Sequence, residues 1–384
     1  MEGAIHAYRR ENGKYGIRNH VVIVPVDDLS NRAAEGVSQM IRGTIALSHG
    51  YGRLQYGADQ DLFSRVLIGT ACNPNVAAAV VIATEPETAK EVATEIARAD
   101  KPVAAFGTEG FGDLKTIELA SRAAKEFVHA ASELEREPVA LSELVCSAKC
   151  GESNSYSGIA SNPAIGIVTD RVVEMGGTML LSDTTEITGA EHFLAGRAAS
   201  PAVAKSLLNA HRAYLQGIKA HGGGQFRSQP SRTNIKDGQT TIEEKGIGNI
   251  QKTGSSPLTA VLAPGEVPKT RGLNFMDTPS SAAECVTLLG AAGSVLQLFT
   301  TGNGSNIGHP IVPVVKITAN PKTVAITPEH IDVDISALLR NEMTLSQAGD
   351  RILEMVVRTA NGRRTAAEVL GHSEFVISKL FPSA

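Results

Sequence analysis

Val21-Val22-Ile23-Val24-Pro25-Val26 is a short, uninterrupted apolar run that ends in Asp27-Asp28. A run of this kind is typical of a strand whose two faces are both covered, as in a parallel sheet. The next residues predict a helix that Ser30 caps and whose apolar face extends to Met40. The stretch therefore predicts the first strand and the first helix of an α/β layer.

The same alternation continues outward from this stretch to about residue 135. Further strands are predicted over 44–47, 77–83 and 103–106, and further helices over 61–69, 87–99 and 114–135. Repeated strand-helix units form open parallel sheets with right-handed crossovers, so residues 1–136 are predicted to be a Rossmann-like α/β domain. No G-x-G-x-x-G follows the first strand, which argues against a dinucleotide site.

Length and composition limit which domains, partners and cellular location the chain can be expected to have. Because 384 residues exceed the usual size of one core, residues 137–384 are predicted to form a second, larger α/β domain that carries catalysis. A net charge of -4 argues against a nucleic-acid partner. No apolar stretch approaches the roughly 20 residues that span a bilayer, and the N-terminus is unlike a signal peptide, so a cytoplasmic protein is expected. Four cysteines are too few for a disulfide framework.

The most polar motif of the predicted second domain is Lys149-Cys150-Gly151-Glu152-Ser153-Asn154, which continues into small hydroxyl side chains up to Gly158. A thiol two residues before a carboxylate, among glycines, makes a poor core and a good polar site. Since Gly, Ser and Asn clusters also mark loops, a solvated interdomain linker is the alternative. The hydrophobic residues at 144–145 and 165–168 flank the motif and favour the polar site.

Acidic side chains follow a strand predicted at 178–182. Asp183, Glu186 and Glu191 could hold a cation or act as acid and base, because the carboxyl ends of parallel strands gather ligands. An acidic helix start that complements the helix dipole explains them equally well.

A second polar loop, Thr300 to Asn303, follows a strand predicted at 294–299. Its amides and hydroxyls suit a small anion, with a tight turn as the alternative. Lys316 alternates with apolar neighbours in the next predicted strand and could reach a substrate carboxylate. These groups predict an anion site at the same sheet edge.

Seven short motifs, taken in order, resemble those of the altronate and galactarate dehydratase family. They are Tyr15-Gly-Ile-Arg-Asn-His20, Asn73-Pro-Asn-Val76, Lys149-Cys-Gly-Glu-Ser-Asn154, Ser161-Asn-Pro163, Glu243-Glu-Lys245, Phe275-Met-Asp-Thr-Pro279 and Phe299-Thr-Thr-Gly-Asn303. The resemblance covers nearly the whole chain. It implies a metal-dependent lyase, with Fe(II) or alternatively Mn(II), that removes the proton α to a carboxylate and expels a β-hydroxyl. It also implies a separate small SAF-type subunit, and hence a hetero-oligomer, because this chain lacks the SAF-type domain that many members carry.

Departures from the family pattern narrow the expected reaction. His49-Gly-Tyr-Gly-Arg53 and Ala83-Thr-Glu85 stand where the dehydratases commonly have cysteines. Three stretches are similar to those of the sulfo-lyase branch of the family, which converts (2R)-sulfolactate to pyruvate and sulfite: Val26-Asp-Asp-Leu-Ser-Asn31, Tyr51-Gly-Arg-Leu54 and Cys150-Gly-Glu-Ser153. Because sulfite leaves as a stable anion, a cation beside it serves better than an acid, and Arg53 is the candidate. A surface ion pair of Arg53 with Asp59 or Asp61 is the alternative.

We therefore expect a metal-dependent β-elimination from a small anionic 2-hydroxy acid in a cleft between the domains. The substrate-binding residues are predicted to be Arg53, Ser153, Asn154, Thr300, Thr301, Asn303 and Lys316. The divalent metal is predicted to be held by ligands drawn from His49, Cys150, Glu152, Glu85 and Glu186. The catalytic groups are predicted among His20, His49, Lys245 and Glu152. Dehydration of a sugar acid such as altronate or galactarate is one alternative, and a non-catalytic anion-binding subunit is another.

Overall fold

The computed structural model describes residues 4–223 and 229–384. The strands are β1 (Ile5–Arg9), β2 (Tyr15–Gly16), β3 (His20–Pro25), β4 (Thr44–Ala46), β5 (Val76–Ala83), β6 (Val103–Gly107), β7 (Glu137–Val139), β8 (Val145–Gly151), β9 (Thr178–Leu181), β10 (Leu258–Leu262), β11 (Gly272–Met276), β12 (Leu296–Thr301), β13 (Val314–Thr318) and β14 (Val333–Asp334). The α-helices are α1 (Asn31–Met40), α2 (Gly57–Ala71), α3 (Pro86–Ala97), α4 (Gly112–Ser132), α5 (Asn162–Glu174), α6 (Glu191–Ala195), α7 (Pro201–Ala220), α8 (Arg232–Lys236), α9 (Ile242–Ile250), α10 (Ala282–Ala291), α11 (Pro321–Ile326), α12 (Leu345–Ala360) and α13 (Ala366–Leu370).

A four-stranded sheet is built from the first predicted strand and its successors. Its order is β4-β3-β5-β6, and every pair in it is parallel. Helices α1 and α4 pack over one face with Ile23 and Val80, while α2 and α3 pack over the other with Val22 and Val81. Both faces are covered, which is why the strands are continuous apolar runs. The predicted parallel α/β layer is confirmed.

Two details of the first helix differ from the prediction. Asp27, not Ser30, supplies the capping side chain: its Oδ1 accepts from the Ser30 amide at 2.9 Å in a 3₁₀ turn that precedes α1. Met40 is 64% exposed and does not contribute to the apolar face. It is the last residue of α1, and the apolar face continues instead in Ile41, which packs against the cluster of Ile23 and Val80.

A small antiparallel sheet, in the order β2-β1-β7, was not predicted. Strand β1 pairs with Tyr15–Gly16 on one side and with Glu137–Val139 on the other. The chain segments around residues 5 and 138 therefore lie side by side, although more than 130 residues separate them. The central strand β1 alternates buried and exposed residues at its start, but its partners β2 and β7 have only two and three residues and are too short to show a strand pattern.

The larger sheet has the order β10-β11-β9-β8-β12-β13-β14, again with every pair parallel. Strand β8 lies in the middle of it and contains Lys149 and Cys150, which the sequence motif had placed in a loop. Strand β10 and the 20-residue helix α7 were also not predicted. From β8 the chain moves to β9 on one side and later to β12 on the other, so the strand order reverses between β8 and β12. Ligands of open α/β sheets bind outside the carboxyl ends of the strands at such a reversal.

The two parallel sheets share a hydrophobic core through α2 and α10. Buried side chains from β3 and α2 are in one continuous cluster with Cys285, Leu288 and Leu289 of α10. Gly69 allows the close approach, because a Cβ there would lie 2.5 Å from the carbonyl oxygen of Ala291. Across residues 4–223 and 229–384, no helix combines the length and the apolar character that crossing a bilayer requires.

Candidate functional site

The reversal between β8 and β12 carries two polar loops that face each other. Asn154, three residues beyond β8, donates from Nδ2 to Oδ1 of Asn303 beyond β12 at 3.3 Å. Asn303 in turn donates to the Asp237 carboxylate at 2.8 Å. A cavity of 690 Å³ opens beside them, and its lining also includes Lys236 and Lys322. Two of the predicted substrate-binding residues, Asn154 and Asn303, thus lie together at the position that the fold favours.

Five buried charged residues cluster at the same carboxyl edge. Lys149 Nζ lies 2.5 Å from Asp183 Oδ1, and Lys252 Nζ lies 3.1 Å from Asp183 Oδ2. Lys149 also lies 3.9 Å from Glu186, and Lys245 lies 3.2 Å from the same carboxylate. None of the five residues is more than 5% exposed. We call this set the lysine cluster.

The lysine cluster holds three ammonium groups against two carboxylates, an excess of one positive charge in a site from which water is largely excluded. Burial opposes the charge on Lys149, but Asp183 and Glu186 outweigh it and raise the Lys149 pKa. Burial likewise opposes the charge on Asp183, but Lys149 and Lys252 outweigh it and lower the Asp183 pKa. Buried charges need partners, so the excess cation favours an anionic ligand.

The backbone at the end of β9 is shaped to bring Asp183 into the lysine cluster. Asp183 has a φ of 77° in the left-handed region, which is uncommon for a residue with a side chain. Its amide donates to Thr278 Oγ1 at 3.0 Å, a contact that ties the end of β9 to the loop after β11. Strained residues of this kind persist where the surrounding structure fixes them, and they concentrate at functional sites.

Glu186 has a free carboxylate oxygen within the lysine cluster. Its Oε1 faces the lysines, while Oε2 is buried and makes no hydrogen bond to any residue that the structure describes. Lys245 also donates to Gln229 at 2.6 Å and contacts Asn234 at 3.4 Å. Asn234 donates to the carbonyl oxygen of Ser153 at 2.7 Å, so hydrogen bonds connect the cluster to the Ser153–Asn154 loop.

Cys150 and Glu152 are placed differently from each other. The Cys150 thiol is buried and lies 2.7 Å from the Ser153 hydroxyl. Glu152 has a φ of 51° and its side chain is exposed. The thiol and the carboxylate therefore do not converge, although they are two residues apart in the chain.

Three further predicted substrate-binding residues already have structural partners. Thr300 donates to Asn162 Oδ1 at 2.6 Å, and Thr301 Oγ1 accepts the amides of Gly304 and Ser305. Lys316 donates to the carbonyl oxygen of Ser305 at 2.9 Å and lies 5.6 Å from the centre of the Phe299 ring. Burial lowers the pKa of Lys316 to about 8. Thr301 and Lys316 thus stabilise the loop after β12, Thr300 connects β12 to the start of α5, and none of the three forms a hydrogen bond with a charged group of the lysine cluster.

The predicted residues of the four-stranded sheet do not join this site. His49 Nε2 lies 2.8 Å from the carbonyl oxygen of Pro25, and Nδ1 accepts the Tyr51 amide at 3.3 Å. With both ring nitrogens engaged, His49 has no lone pair for a metal or for a proton. Glu85 precedes α3, and Arg53 is exposed.

The alternative that pairs Arg53 with Asp59 or Asp61 is wrong. Asp59 is 2% exposed and accepts the backbone amides of Leu380 and Phe381 at 2.8 and 2.7 Å. Within the part of the chain that the structure describes, Arg53 has no ion pair within 4 Å. His20 lies elsewhere again, at the start of β3, where it lines a separate cavity of 620 Å³.

The predicted metal ligands are therefore not gathered into one site. Among residues 4–223 and 229–384, no group of three or more His, Cys, Asp or Glu side chains could hold a metal ion. Glu186 lies among lysines, both ring nitrogens of His49 are engaged by backbone groups, and the Cys150 thiol contacts a hydroxyl. This donor set does not fit Fe(II) or Mn(II).

His211 is a functional candidate that the sequence reasoning missed, because α7 itself was not predicted. The Thr188 hydroxyl donates to the Thr185 carbonyl oxygen at 2.7 Å and so accepts from His211 Nε2, which lies 3.0 Å away. That arrangement leaves Nδ1 of the neutral ring as an acceptor. Burial lowers the His211 pKa, and Glu191 and Asp277 oppose that effect.

Two family models together match most of the chain. Residues 141–383 match the model described as D-galactarate/Altronate dehydratase, C-terminal, and residues 7–132 match D-galactarate dehydratase/Altronate hydrolase, second domain. The chain belongs to the galactarate/altronate dehydratase family. The resemblance that the seven motifs suggested is thereby confirmed.

Individual relatives in this family match the chain to different extents. The chain is 52% identical to the (2R)-sulfolactate sulfo-lyase subunit beta of Chromohalobacter salexigens, over 98% of this chain and 97% of that one. It is 31% identical to the altronate dehydratase of Bacillus subtilis, over 97% of this chain and 77% of that one. It is 34% identical to the galactarate dehydratase of Escherichia coli, over 60% of this chain and 44% of that one. Because these relatives are lyases and dehydratases, a lyase-type activity is supported.

Proposed function

We propose that the chain is the catalytic subunit of a lyase that releases sulfite from a small 2-hydroxy acid, with (2R)-sulfolactate as substrate and pyruvate as the other product. The observation that carries the proposal is the lysine cluster, which provides buried excess positive charge at the strand-order reversal. The near end-to-end similarity to a sulfo-lyase subunit supports the choice of leaving group. Sulfolactate carries a carboxylate and a sulfonate, and it suits an electropositive site.

The reaction needs a base and a stabilised carboxylate. A base removes the proton from C2, the electron pair forms the C2–C3 double bond, and the C3–S bond breaks with its electrons on sulfite. The resulting enol then tautomerises to pyruvate. Glu186 is our candidate base, since its buried Oε2 has a free lone pair, with Lys245 as the alternative. Lys149 and Lys252 would stabilise negative charge that develops on the substrate carboxylate.

The loops at the reversal would provide substrate selectivity. Asn154 and Asn303 border the 690 Å³ cavity, and Lys236 and Lys322 add positive charge to its wall. Arg53 as the partner of the leaving sulfonate stays a prediction, because it lies at the other sheet. A divalent metal also stays a prediction that the family resemblance carries.

Dehydration of a sugar acid is the second candidate function. The altronate dehydratases match 97% or more of this chain, and a cavity of 690 Å³ has room for a longer polyhydroxylated chain. The dehydration would use the same base but would need an acid to protonate the departing hydroxyl.

We also propose that the chain works with a second, small subunit of the SAF type. The 52% identical relative is named as a subunit beta, so that protein is one part of an assembly. Co-purification of the tagged chain with a co-expressed small subunit tests this proposal.

The test of function is an assay of the chain alone and with that small subunit, under anaerobic Fe(II) or Mn(II) and also with chelator. Sulfolactate and altronate are offered in parallel, and sulfite, pyruvate and 2-keto-3-deoxy acid are measured. Sulfite and pyruvate in equal amounts support the proposal, while a keto-deoxy acid alone makes the chain a sugar-acid dehydratase. Glu186→Gln should reduce kcat by about 10²-fold or more without a matching rise in KM, because it removes the base.

The control for Glu186→Gln is Glu244→Gln. Glu244 is an exposed carboxylate whose hydrogen bonds cap the nearby helix α9. This variant should keep its turnover. Equal losses in the two variants would contradict the assignment of Glu186 as the base.

A further inference from the structure

A second polar cavity lies away from the strand-order reversal, beside the edge strand β4. Its volume is 620 Å³, and it shares no lining residue with the lysine cluster or the 690 Å³ cavity. It is bounded by the start of β3, by β4, by the loop before β13 and by the segment after α13. Its charged and imidazole side chains are Arg18, His20, His309, Arg364, Glu368 and His372.

One charged pair in this lining is already complete. The Arg18 guanidinium donates from Nε and Nη2 to the two carboxylate oxygens of Glu368, at 2.7 and 2.9 Å. Its remaining N–H groups donate to the carbonyl oxygens of Ile17, Thr359 and Arg363. Arg18 therefore links several segments of the lining and has no free donor. The Glu368 carboxylate is neutralised by Arg18 and is not available to bind a cation.

Arg364 is the cation of the lining that has no partner. Its guanidinium forms no ion pair within 4 Å and no hydrogen bond in the part of the chain that the structure describes, and its side chain is exposed. With Arg18 and Glu368 cancelling each other, the lining carries one net positive charge, from Arg364.

The histidines of the lining add donors without partners. His309 Nδ1 accepts the amides of Ile311 and Val312, both at 3.2 Å, so the proton of the neutral ring is on Nε2. That Nε2 packs against Gly290 of α10, where an added Cβ would lie 2.7 Å from it, and it makes no hydrogen bond to the described residues; nor does the buried Nδ1 of His372. The ring of His20 likewise has no hydrogen-bond partner there. Buried polar atoms in this state are costly unless a ligand or water satisfies them.

We propose that this cavity is a second binding site, specific for a small oxyanion with a carboxylate, sulfonate or phosphate head. Among the described residues of its lining, every free polar group either donates or can donate a hydrogen bond, and the one unpaired charge is positive. A cation finds no free carboxylate, and an apolar ligand would leave the imidazoles unsatisfied. The volume falls within the range of small-molecule sites. The site is independent of the proposed lyase reaction, so its test needs no turnover.

The test is a titration of the full-length protein, labelled with ¹³C at the histidine Cε1 positions, with acetate, methanesulfonate or phosphate at constant ionic strength. Saturable shifts of the His20, His309 and His372 resonances are expected with at least one probe, and the lowest Kd identifies the preferred head group. Single His→Gln variants assign the three resonances. If all three probes leave these resonances unmoved or shift them without saturation, the proposal is wrong.

Arg364→Ala should raise the Kd of the tightest-binding probe about tenfold, since it removes the unpaired charge. Arg351→Ala is the matched control, because Arg351 is also exposed and has no ion pair in the described structure, but it does not line the cavity. Equal affinity in Arg364→Ala and wild type would overturn the proposal. Arg364→Gln keeps the hydrophobic stem, and it should match Arg364→Ala if charge is the cause.

Discussion

The two parallel sheets present the same kind of edge, but only one of them concentrates buried charge. At the carboxyl ends of the seven-stranded sheet, Lys149 and Lys252 each contact the Asp183 carboxylate within 3.1 Å. At the carboxyl ends of the four-stranded sheet, both ring nitrogens of His49 are engaged by backbone groups, and Arg53 is exposed and forms no ion pair with any residue that the structure describes. A strand end is therefore a position where chemistry is possible, and the partners of its side chains decide whether it is used.

The difference arises from the residue that ends each strand and the partners of its carboxylate. After β3, Asp27 turns back to cap a 3₁₀ turn and to accept from the Thr84 amide and hydroxyl at 2.7 and 2.8 Å, so its carboxylate closes the edge. After β9, Asp183 adopts a left-handed conformation and faces two lysines. The Asp27 carboxylate is used in hydrogen bonds to backbone amides and a hydroxyl group. The Asp183 carboxylate lies in a charged cluster whose net charge would change when an anionic ligand binds.

The largest expected effect is a difference in the free energy of unfolding between substitutions of two buried lysines that lie on one face of the seven-stranded sheet. Lys149, Phe299 and Lys316 are aligned across β8, β12 and β13. Lys149→Met should lower the free energy of unfolding by about 5 kcal/mol, because the buried Asp183 carboxylate loses its 2.5 Å ion pair and Glu186 loses one of its two lysines. Lys316→Met should cost only about 1–2 kcal/mol, because Lys316 contacts a carbonyl oxygen and a ring.

Urea unfolding of both variants at pH 7 measures this difference. Equal losses would mean that burial alone, and not the carboxylate partners, distinguishes the two lysines. Sulfite release should also be abolished in Lys149→Met.

Asp183→Asn should lower the free energy of unfolding by a smaller amount, about 3 kcal/mol. The amide oxygen still accepts from a lysine, and Asn tolerates the left-handed backbone. Because the folded pKa of Asp183 lies below its ordinary 3.8, its stabilisation is present above that pH and is lost as the pH falls through the folded value. The wild type should therefore lose stability below about pH 4 more steeply than Asp183→Asn. Parallel acid profiles in urea unfolding would contradict the ion-pair account.

His20, which lines the 620 Å³ cavity, should make the free energy of unfolding depend on pH in a different range. Burial lowers the pKa of His20 to about 4 from 6.5, so between these values the unfolded chain binds a proton that the folded chain does not. Stability should fall as the pH is lowered from 6.5 to 4, by up to about 1.4 kcal/mol per unit for this residue. His20→Gln should reduce that slope without removing it, since burial also lowers the His309 pKa, to about 3. A slope identical to the wild type would show that His20 titrates normally when folded.

The fold is most predictable from the sequence where local pattern and burial coincide. Strands such as β5, with eight buried residues, are apolar throughout and were predicted nearly to their ends. The loops at the strand-order reversal were also found, because strand ends and polar residues are both visible in a sequence. The lysine cluster as a set was not found, since Lys149, Asp183 and Lys252 come from separate segments, and buried lysines look like surface lysines until their partners are known. His49 and Thr301 show the opposite error, because residues of the right chemical type were already engaged by backbone amides.

The smallest expected effect is that of Arg53→Ala. This variant tests most directly which of the two sheet edges takes part in the reaction. Arg53→Ala should change the free energy of unfolding by less than about 0.5 kcal/mol, because the side chain is exposed and has no ion pair in the described structure. If the lysine cluster is the reaction site, sulfite release should also stay within about twofold of wild type. A fall of tenfold or more in kcat/KM at unchanged stability would mean that the edge of the four-stranded sheet reaches the leaving sulfonate. Arg32→Ala, at another exposed arginine of the same half of the chain, shows whether any such fall is specific to Arg53. A loss confined to Arg53→Ala would place the reaction between the two sheet edges, as the sequence motifs predict, and would assign the lysine cluster to the substrate carboxylate alone.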